Sequence, residues 1–365
     1  MASLSKKQSA LLGAALGAAY GLVARLIFGF GLARSDVFEV MSTAFIFGVP
    51  FALGFVTIWF GDPQNKVRWL RCIFLPWIAG LLCLLCALAL VWEGIICILL
   101  WLPLVLILSS FGGLVAGICH RLFKAKRDRT YCVVAVALLP FLAAPLEQFH
   151  SAASEIRTVN TQIRIHANPQ TVWEQIRTVP LIGEREQSFS FSHLLGFPRQ
   201  LEAKLVGEGV GAVRYATFER GVLFVETITE WNEPQRLSFS IHADAEHIPP
   251  STFDEHVTIG GKYFDVLTGT YWIETAGEGD VILHLASDQR LSTRFNFYSH
   301  FWTEYLMADL QNYILKIIKR RCEANTFPAH GNSQVDARFS SGKHPDRSPP
   351  TSRPSTFIKK IPSLR

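Results

Sequence analysis

Five long apolar runs fill most of the first 150 residues and limit what the chain can fold into. They cover about residues 9–32, 38–60, 72–92, 94–118 and 131–149. A helix needs about 20 apolar residues to cross a hydrocarbon layer about 30 Å thick, and the runs are close to that length. The sequence therefore predicts an α-helical membrane domain of about five spans over residues 1–150.

Basic and non-basic loops alternate between these runs, and this alternation bears on orientation. Lys6 and Lys7 precede the first run, three bases lie between the second and third, and five lie in "HRLFKAKRDRT" at 120–130. The other loops are poor in bases. Cytoplasmic loops carry an excess of Lys and Arg. The pattern predicts a cytoplasmic N-terminus and an extracytoplasmic segment after the fifth run, which in a bacterium means the periplasmic side of the inner membrane. Four spans would leave that segment in the cytoplasm.

Arg25 is the one base well inside a run. A charge at such depth normally has a partner or a function, and Glu93 or Glu147 would lie on the same outer side. Residues 1–33 also fit a signal peptide, but Arg25 late in the run favours a retained helix.

Small residues in two runs have the spacing of close helix contacts. Gly13, Gly17 and Gly21 recur every four residues, as do Gly113 and Gly117. This spacing lets helix backbones approach each other. Packing within one chain is the favoured interpretation, and a homo-oligomer through these helices is the alternative.

Residues 155–325 read as a separate mixed domain. Alternating apolar residues between turn signals predict strands, and apolar residues at helical spacing predict one long helix at about 296–324. The strands fall at about 159–167, 200–207, 211–219, 222–231, 235–243, 264–276 and 280–291. A single antiparallel sheet can bury its core only by curving around that helix. We expect an α+β helix-grip domain with an apolar cleft.

Two segments resemble a known superfamily. "IRIHANPQTVWEQI" (163–176) resembles the opening strand and helix of START/polyketide-cyclase-like (SRPBCC) domains, and residues 207–241 are similar to their central hairpins. The resemblance covers about 155–325. It implies a helix-grip fold with a hydrophobic cavity, whose members bind lipids, sterols or polyketides and in some cases catalyse cyclisation or dehydration. It implies no shared catalytic residues.

Aromatic residues and one histidine are the candidates for lining this cavity. Tyrosine and tryptophan suit such a place because each has an apolar body and a polar group. His284 would act as an acid or base if its face of the strand met the cleft. The candidates are Tyr215, Phe224, His284, Tyr298, Trp302 and Tyr305.

Other chemistries find no support in the sequence. No P-loop, dinucleotide fingerprint, nucleophile elbow or zinc spacing is found, so we expect no cofactor and no metal. His242, His247 and His256 have no metal-ligand spacing. Residues 1–150 carry a net charge of +6, residues 151–325 carry −6 and residues 326–365 carry +5. The high pI is therefore not that of a basic globular domain, which argues against nucleic-acid binding.

Residues 326–365 are basic and rich in proline and serine, and we expect them to be disordered. The three parts together predict a membrane-anchored binding or carrier module, whose partners are the lipid bilayer and a lipid or other hydrophobic small molecule. One alternative is a cyclase- or dehydratase-like enzyme that acts on a hydrophobic substrate. Another is a sensor in which the ligand changes the packing of the spans.

Overall fold

The computed structural model describes residues 5–29, 38–62, 69–123, 126–149, 152–244, 259–277 and 279–326. His247, His256 and the tail beyond residue 326 lie outside these residues.

The N-terminal half is a bundle of apolar helices. Five helices of the described part of the chain are long and apolar enough to cross a membrane, judged by length and composition. The second begins with a π-helical turn at Ala44–Gly48, which continues directly into α2. The bundle helices are α1 (Lys6–Gly29), α2 (Val49–Gly61), α3 (Trp69–Ala89), α4 (Ile95–Leu122) and α5 (Lys126–Glu147).

Glycines bring the bundle helices close together. A Cβ added to Gly13 would overlap the Thr57 carbonyl oxygen of α2, and one added to Gly113 would overlap the Cys72 carbonyl oxygen of α3. Gly13 of the first run and Gly113 of the fourth thus contact helices of the same chain, where small residues permit close approach.

The described residues of the C-terminal half form one antiparallel sheet of seven strands with the order β1-β7-β6-β5-β4-β3-β2. Two short helices follow β1, and one long helix ends the described chain. The elements are β1 (Glu155–Ile165), α6 (Pro169–Arg177), α7 (Phe191–Leu194), β2 (Gln200–Val206), β3 (Val213–Phe218), β4 (Leu223–Asn232), β5 (Arg236–Asp244), β6 (Phe264–Gly277), β7 (Asp280–Leu291) and α8 (Asn296–Thr326).

The first turn of α6 shows how local sequence starts this half. Asn168 caps the helix by accepting a hydrogen bond from the Thr171 amide at 2.8 Å, and Pro169 follows at the first helical position. Both residue types are preferred at these places. The helix then buries Val172 and Trp173 against the sheet.

All seven strands contribute to one apolar core, together with α6 and α8. Leu283 of β7 and Leu315 and Ile317 of α8 are fully buried there. A sheet that buries one face against a single long helix is a helix-grip arrangement. The strands and the long helix lie close to the predicted positions, although β1 begins earlier, at Glu155.

The sheet half contacts the bundle at the ends of helices joined by base-poor loops. Lys262 pairs with Glu39 at 2.7 Å, just before the second helix. Arg294 donates a hydrogen bond to the carbonyl oxygen of Glu147, at the end of α5. Among the described residues, Arg71 at the start of α3 lies at the opposite end of the bundle, where it donates a hydrogen bond to the Gly61 carbonyl oxygen at 2.8 Å.

Candidate functional site

A cavity of about 330 Å³ lies between the sheet, α8 and the end of the bundle formed by the π-helical turn and the start of α4. Most of its lining is apolar, and its volume falls at the lower end of the range for small-molecule sites. The α8 residues that line the cavity run from Tyr298 to Ile314, and beyond them Leu315 and Ile317 are fully buried in the core.

The N-terminal half of α8 forms one wall of this cavity. Tyr298, Trp302 and Leu306 follow each other at four-residue spacing and all line the cavity. Residues at this spacing share one helix face. The Tyr298 hydroxyl donates to the Leu100 carbonyl oxygen of α4, so it holds α8 against the bundle.

The bundle forms the floor. Phe45 and Ile46 from the π-helical turn and Cys97 and Trp101 from α4 all line the cavity. The rings of Phe45 and Trp101 stack with centroids 5.2 Å apart, and the Trp101 indole donates to the Ile46 carbonyl oxygen at 3.2 Å. The site is therefore built by both halves of the chain.

A buried ion pair stands in the sheet wall of the cavity. Arg214 of β3 pairs with Glu226 of β4, donates to the Ile176 carbonyl oxygen at 2.6 Å, and lies over the Phe239 ring at 4.2 Å. Burial raises the pKa of Glu226, while the adjacent guanidinium acts in the opposite direction. Burial also raises the pKa of Tyr271 beside them to about 12. These partners satisfy each other and need no ligand.

Three of the six predicted cavity residues line the cavity, namely Phe224, Tyr298 and Trp302. Tyr215 does not, and this prediction is corrected. Strand residues alternate between faces, and β3 directs its neighbours Arg214 and Ala216 into the core. The Tyr215 side chain is therefore on the outer face and 41% exposed.

His284 is also on the outer face of the sheet. Its ring stacks on Trp272 at 4.5 Å, and Nε2 lies 3.2 Å from a carboxylate oxygen of Glu274. Its neighbours Leu283 and Leu285 point inward. The predicted cavity role is corrected for the same reason of strand alternation.

Tyr305 lies on the outer face of α8 and is 49% exposed. It contacts Phe191 edge to face, with ring centroids 5.6 Å apart. One residue of helix turns the side chain by about 100°, so Tyr305 and the cavity residue Leu306 face different ways. Its prediction as a cavity residue is corrected too.

The charge inside the first helix has a partner. Arg25 of α1 pairs with Glu93 and also donates to the Trp92 carbonyl oxygen at 2.9 Å. Glu147, the other predicted partner, accepts hydrogen bonds from the Thr43 and Ala44 amides instead. Glu93 also lines the cavity, which places the pair at its floor.

Sequence reasoning missed the bundle residues of the site and two polar residues, His193 and Tyr313. Tyr313 belongs to the apolar periodicity of α8, which signals burial without showing a cavity. His193 lies in the short helix α7, where no periodic signal exists. Their rings meet edge to face at 4.5 Å, and both line the cavity.

No protein-family description and no curated protein matches this chain. Several solved structures resemble its C-terminal half. The Zhui aromatase/cyclase from Streptomyces sp. R1128 has 12% identity and a TM-score of 0.32, over 49% of this chain and 100% of that one. A START superfamily protein from Mycobacterium smegmatis has 10% identity and a TM-score of 0.31, over 46% and 98%. A point mutant of norcoclaurine synthase from Thalictrum flavum has 13% identity and a TM-score of 0.28, over 46% of this chain and 96% of that one. The helix-grip assignment itself rests on the strand order and the enclosed helix.

Proposed function

We propose that this protein is a membrane-anchored binding protein for a lipid or other hydrophobic small molecule. The observation that carries the proposal is the cavity that both halves of the chain share. Trp302 of α8 lines one side of it, and Phe45 and Trp101 of the bundle line another. An apolar cavity with few polar groups favours a ligand that is itself mostly apolar.

The bundle supplies the anchor in this proposal. Its five apolar helices have the length of membrane spans. With the basic loops in the cytoplasm, the helix-grip domain stands on the extracytoplasmic face, where it contacts the base-poor ends of the bundle. The cavity then lies at the level where the bilayer ends, so a ligand from the outer leaflet has a short path to it.

The enzyme alternative loses the two histidines that the sequence offered it as an acid or base. His284 stacks on Trp272 on the outer face of the sheet. His242 of β5 is exposed. A general acid or base must lie within hydrogen-bond reach of the reacting group, and neither residue lines the cavity.

The test is mass spectrometry of the organic extract from full-length protein purified in nanodiscs. Leu310 lines the cavity, so Leu310→Trp fills part of it. Leu181 is exposed outside the cavity, and Leu181→Trp is the matched control. We expect a hydrophobic molecule to copurify with the wild-type protein and with L181W in a larger amount than empty nanodiscs contain. The amount that copurifies with L310W is expected to be much smaller. Wild-type protein that stays empty after incubation with membrane extract would overturn the proposal.

A further inference from the structure

Most polar side chains in the cavity wall are already hydrogen-bonded within the protein. Arg214 and Glu226 form an ion pair. The Gln311 amide nitrogen donates to the Ser287 hydroxyl at 2.8 Å and to the Val159 carbonyl oxygen at 3.1 Å. The Thr293 hydroxyl is 2.9 Å from the Asn296 side chain. A ligand would have to break these contacts in order to use them.

Tyr313 and His193 differ from these groups. Tyr313 is 3% exposed, and its hydroxyl has no hydrogen-bond partner among the described residues. The Nδ1 atom of His193 is likewise buried without a partner in the described part of the chain. Burying a hydroxyl without a hydrogen bond is costly. The two atoms belong to rings whose centroids are 4.5 Å apart. A bound polar group would therefore supply the hydrogen bonds that both atoms lack.

The charge state of the two groups limits what that bound group can be. Burial lowers the pKa of His193 and raises the pKa of Tyr313. Near pH 7 the imidazole is neutral, with one donor and one acceptor nitrogen, and the phenol keeps its proton. A neutral oxygen group that can both donate and accept matches this pair in either tautomer of the histidine.

We propose that Tyr313 and His193 together bind the hydroxyl group of the hydrophobic ligand, which is therefore an alcohol with a long or polycyclic hydrocarbon body. This inference rests on the proposed binding function and adds the chemical class of the ligand. The hydroxyl accepts from one side chain and donates to the other, while the hydrocarbon body lies against Trp302 and the bundle floor.

Decanol and undecane test the inference, because they have the same number of heavy atoms and differ in one hydroxyl. Full-length protein in nanodiscs is equilibrated with equal amounts of both, and the retained molecules are quantified by mass spectrometry with empty nanodiscs as blank. The variants Tyr313→Phe and His193→Phe keep an aromatic ring at each position and remove its polar atoms. Tyr305→Phe removes a hydroxyl from the outer face of the same helix and is the control.

We expect wild type and Y305F to retain decanol in preference to undecane, relative to the blank. The preference falls about fivefold in Y313F and in H193F, the size of one net hydrogen bond. An equal preference in wild type and Y313F would overturn the inference and leave the binding function standing. Retention of neither probe above the blank would overturn both.

Discussion

Neighbouring residues of β3 show what decides the face of a side chain. Arg214 points into the core and Tyr215 points outward, the reverse of what polarity alone suggests. The buried guanidinium is tolerated because Glu226 on the next strand faces it. A buried charge is stable only with such a partner. Because the partner lies twelve residues away and its register is set by the sheet, the local sequence of β3 does not show which face is inside.

The Arg214–Glu226 pair gives the first prediction. Glu226→Gln leaves the buried guanidinium without a counter-charge, so we expect the full-length protein to lose about 3 kcal/mol of stability. The control is Glu230→Gln on the same strand, because Glu230 pairs with Arg236 on the surface with both side chains nearly half exposed. An exposed pair contributes about 0.5 kcal/mol. Denaturant unfolding followed by tryptophan fluorescence measures both, and equal losses would contradict the prediction.

At the scale of single elements, α8 has two apolar faces, and this explains both the success and the error in the predicted site. Its periodicity shows that the helix is buried on at least one side, and Tyr298 and Trp302 do line the cavity. Phe297, Phe301 and Tyr305 form a second stripe that is exposed along the helix. A period of 3.6 residues identifies apolar faces, but what each face meets depends on the rest of the fold.

The exposed stripe predicts a contact with lipid. Phe297 stacks on Phe47 of the π-helical turn with ring centroids 5.8 Å apart, so the stripe begins beside the apolar bundle. Aromatic rings favour the interface between membrane and water. A benzophenone amino acid in place of Phe301 is expected to yield lipid adducts on illumination in native membranes. The same amino acid at Lys316, which is exposed about 22 Å further along the helix, is expected to yield none. Equal yields at both positions would count against the contact.

The close packing of α4 against α2 in the bundle gives another prediction at the scale of single elements. A Cβ on Gly112 of α4 would overlap the Phe51 carbonyl oxygen of α2, and backbone cannot move aside as a side chain does. We expect Gly112→Ala to destabilise the full-length protein by about 2 kcal/mol through overpacking. Gly48→Ala is the control, because its Cβ would lie 3.2 Å from the Pro140 ring, a contact that small shifts relieve. Thermal unfolding in detergent compares the two, and an unchanged midpoint for G112A would exclude tight contact here.

At the scale of the whole molecule, the sequence predicts each half but not the site that they share. The long apolar helices follow from run length, and the seven strands follow from alternation and turns. The cavity floor of Phe45, Cys97 and Trp101 depends on how the sheet half docks on the bundle. Docking depends on contacts such as Lys262 with Glu39, which are more than 200 residues apart and leave no periodic pattern.

The side of the membrane on which the shared cavity lies is the last prediction. The helix-grip half contacts the start of α4 and the end of α5, where the loops are poor in bases, while Arg121 at the other end of α4 lies over the Trp69 ring at the start of α3. If loop bases set the orientation, alkaline phosphatase fused after residue 326 will be active in a bacterial host, because it needs the oxidising side of the membrane. The same enzyme fused after residue 123 will be inactive. Replacing the five bases of residues 120–130 with glutamine removes part of the charge that sets the orientation. This replacement is expected to lower the phosphatase activity of the fusion after residue 326. High activity after residue 123 would place the cavity on the cytoplasmic side and remove the path from the outer leaflet.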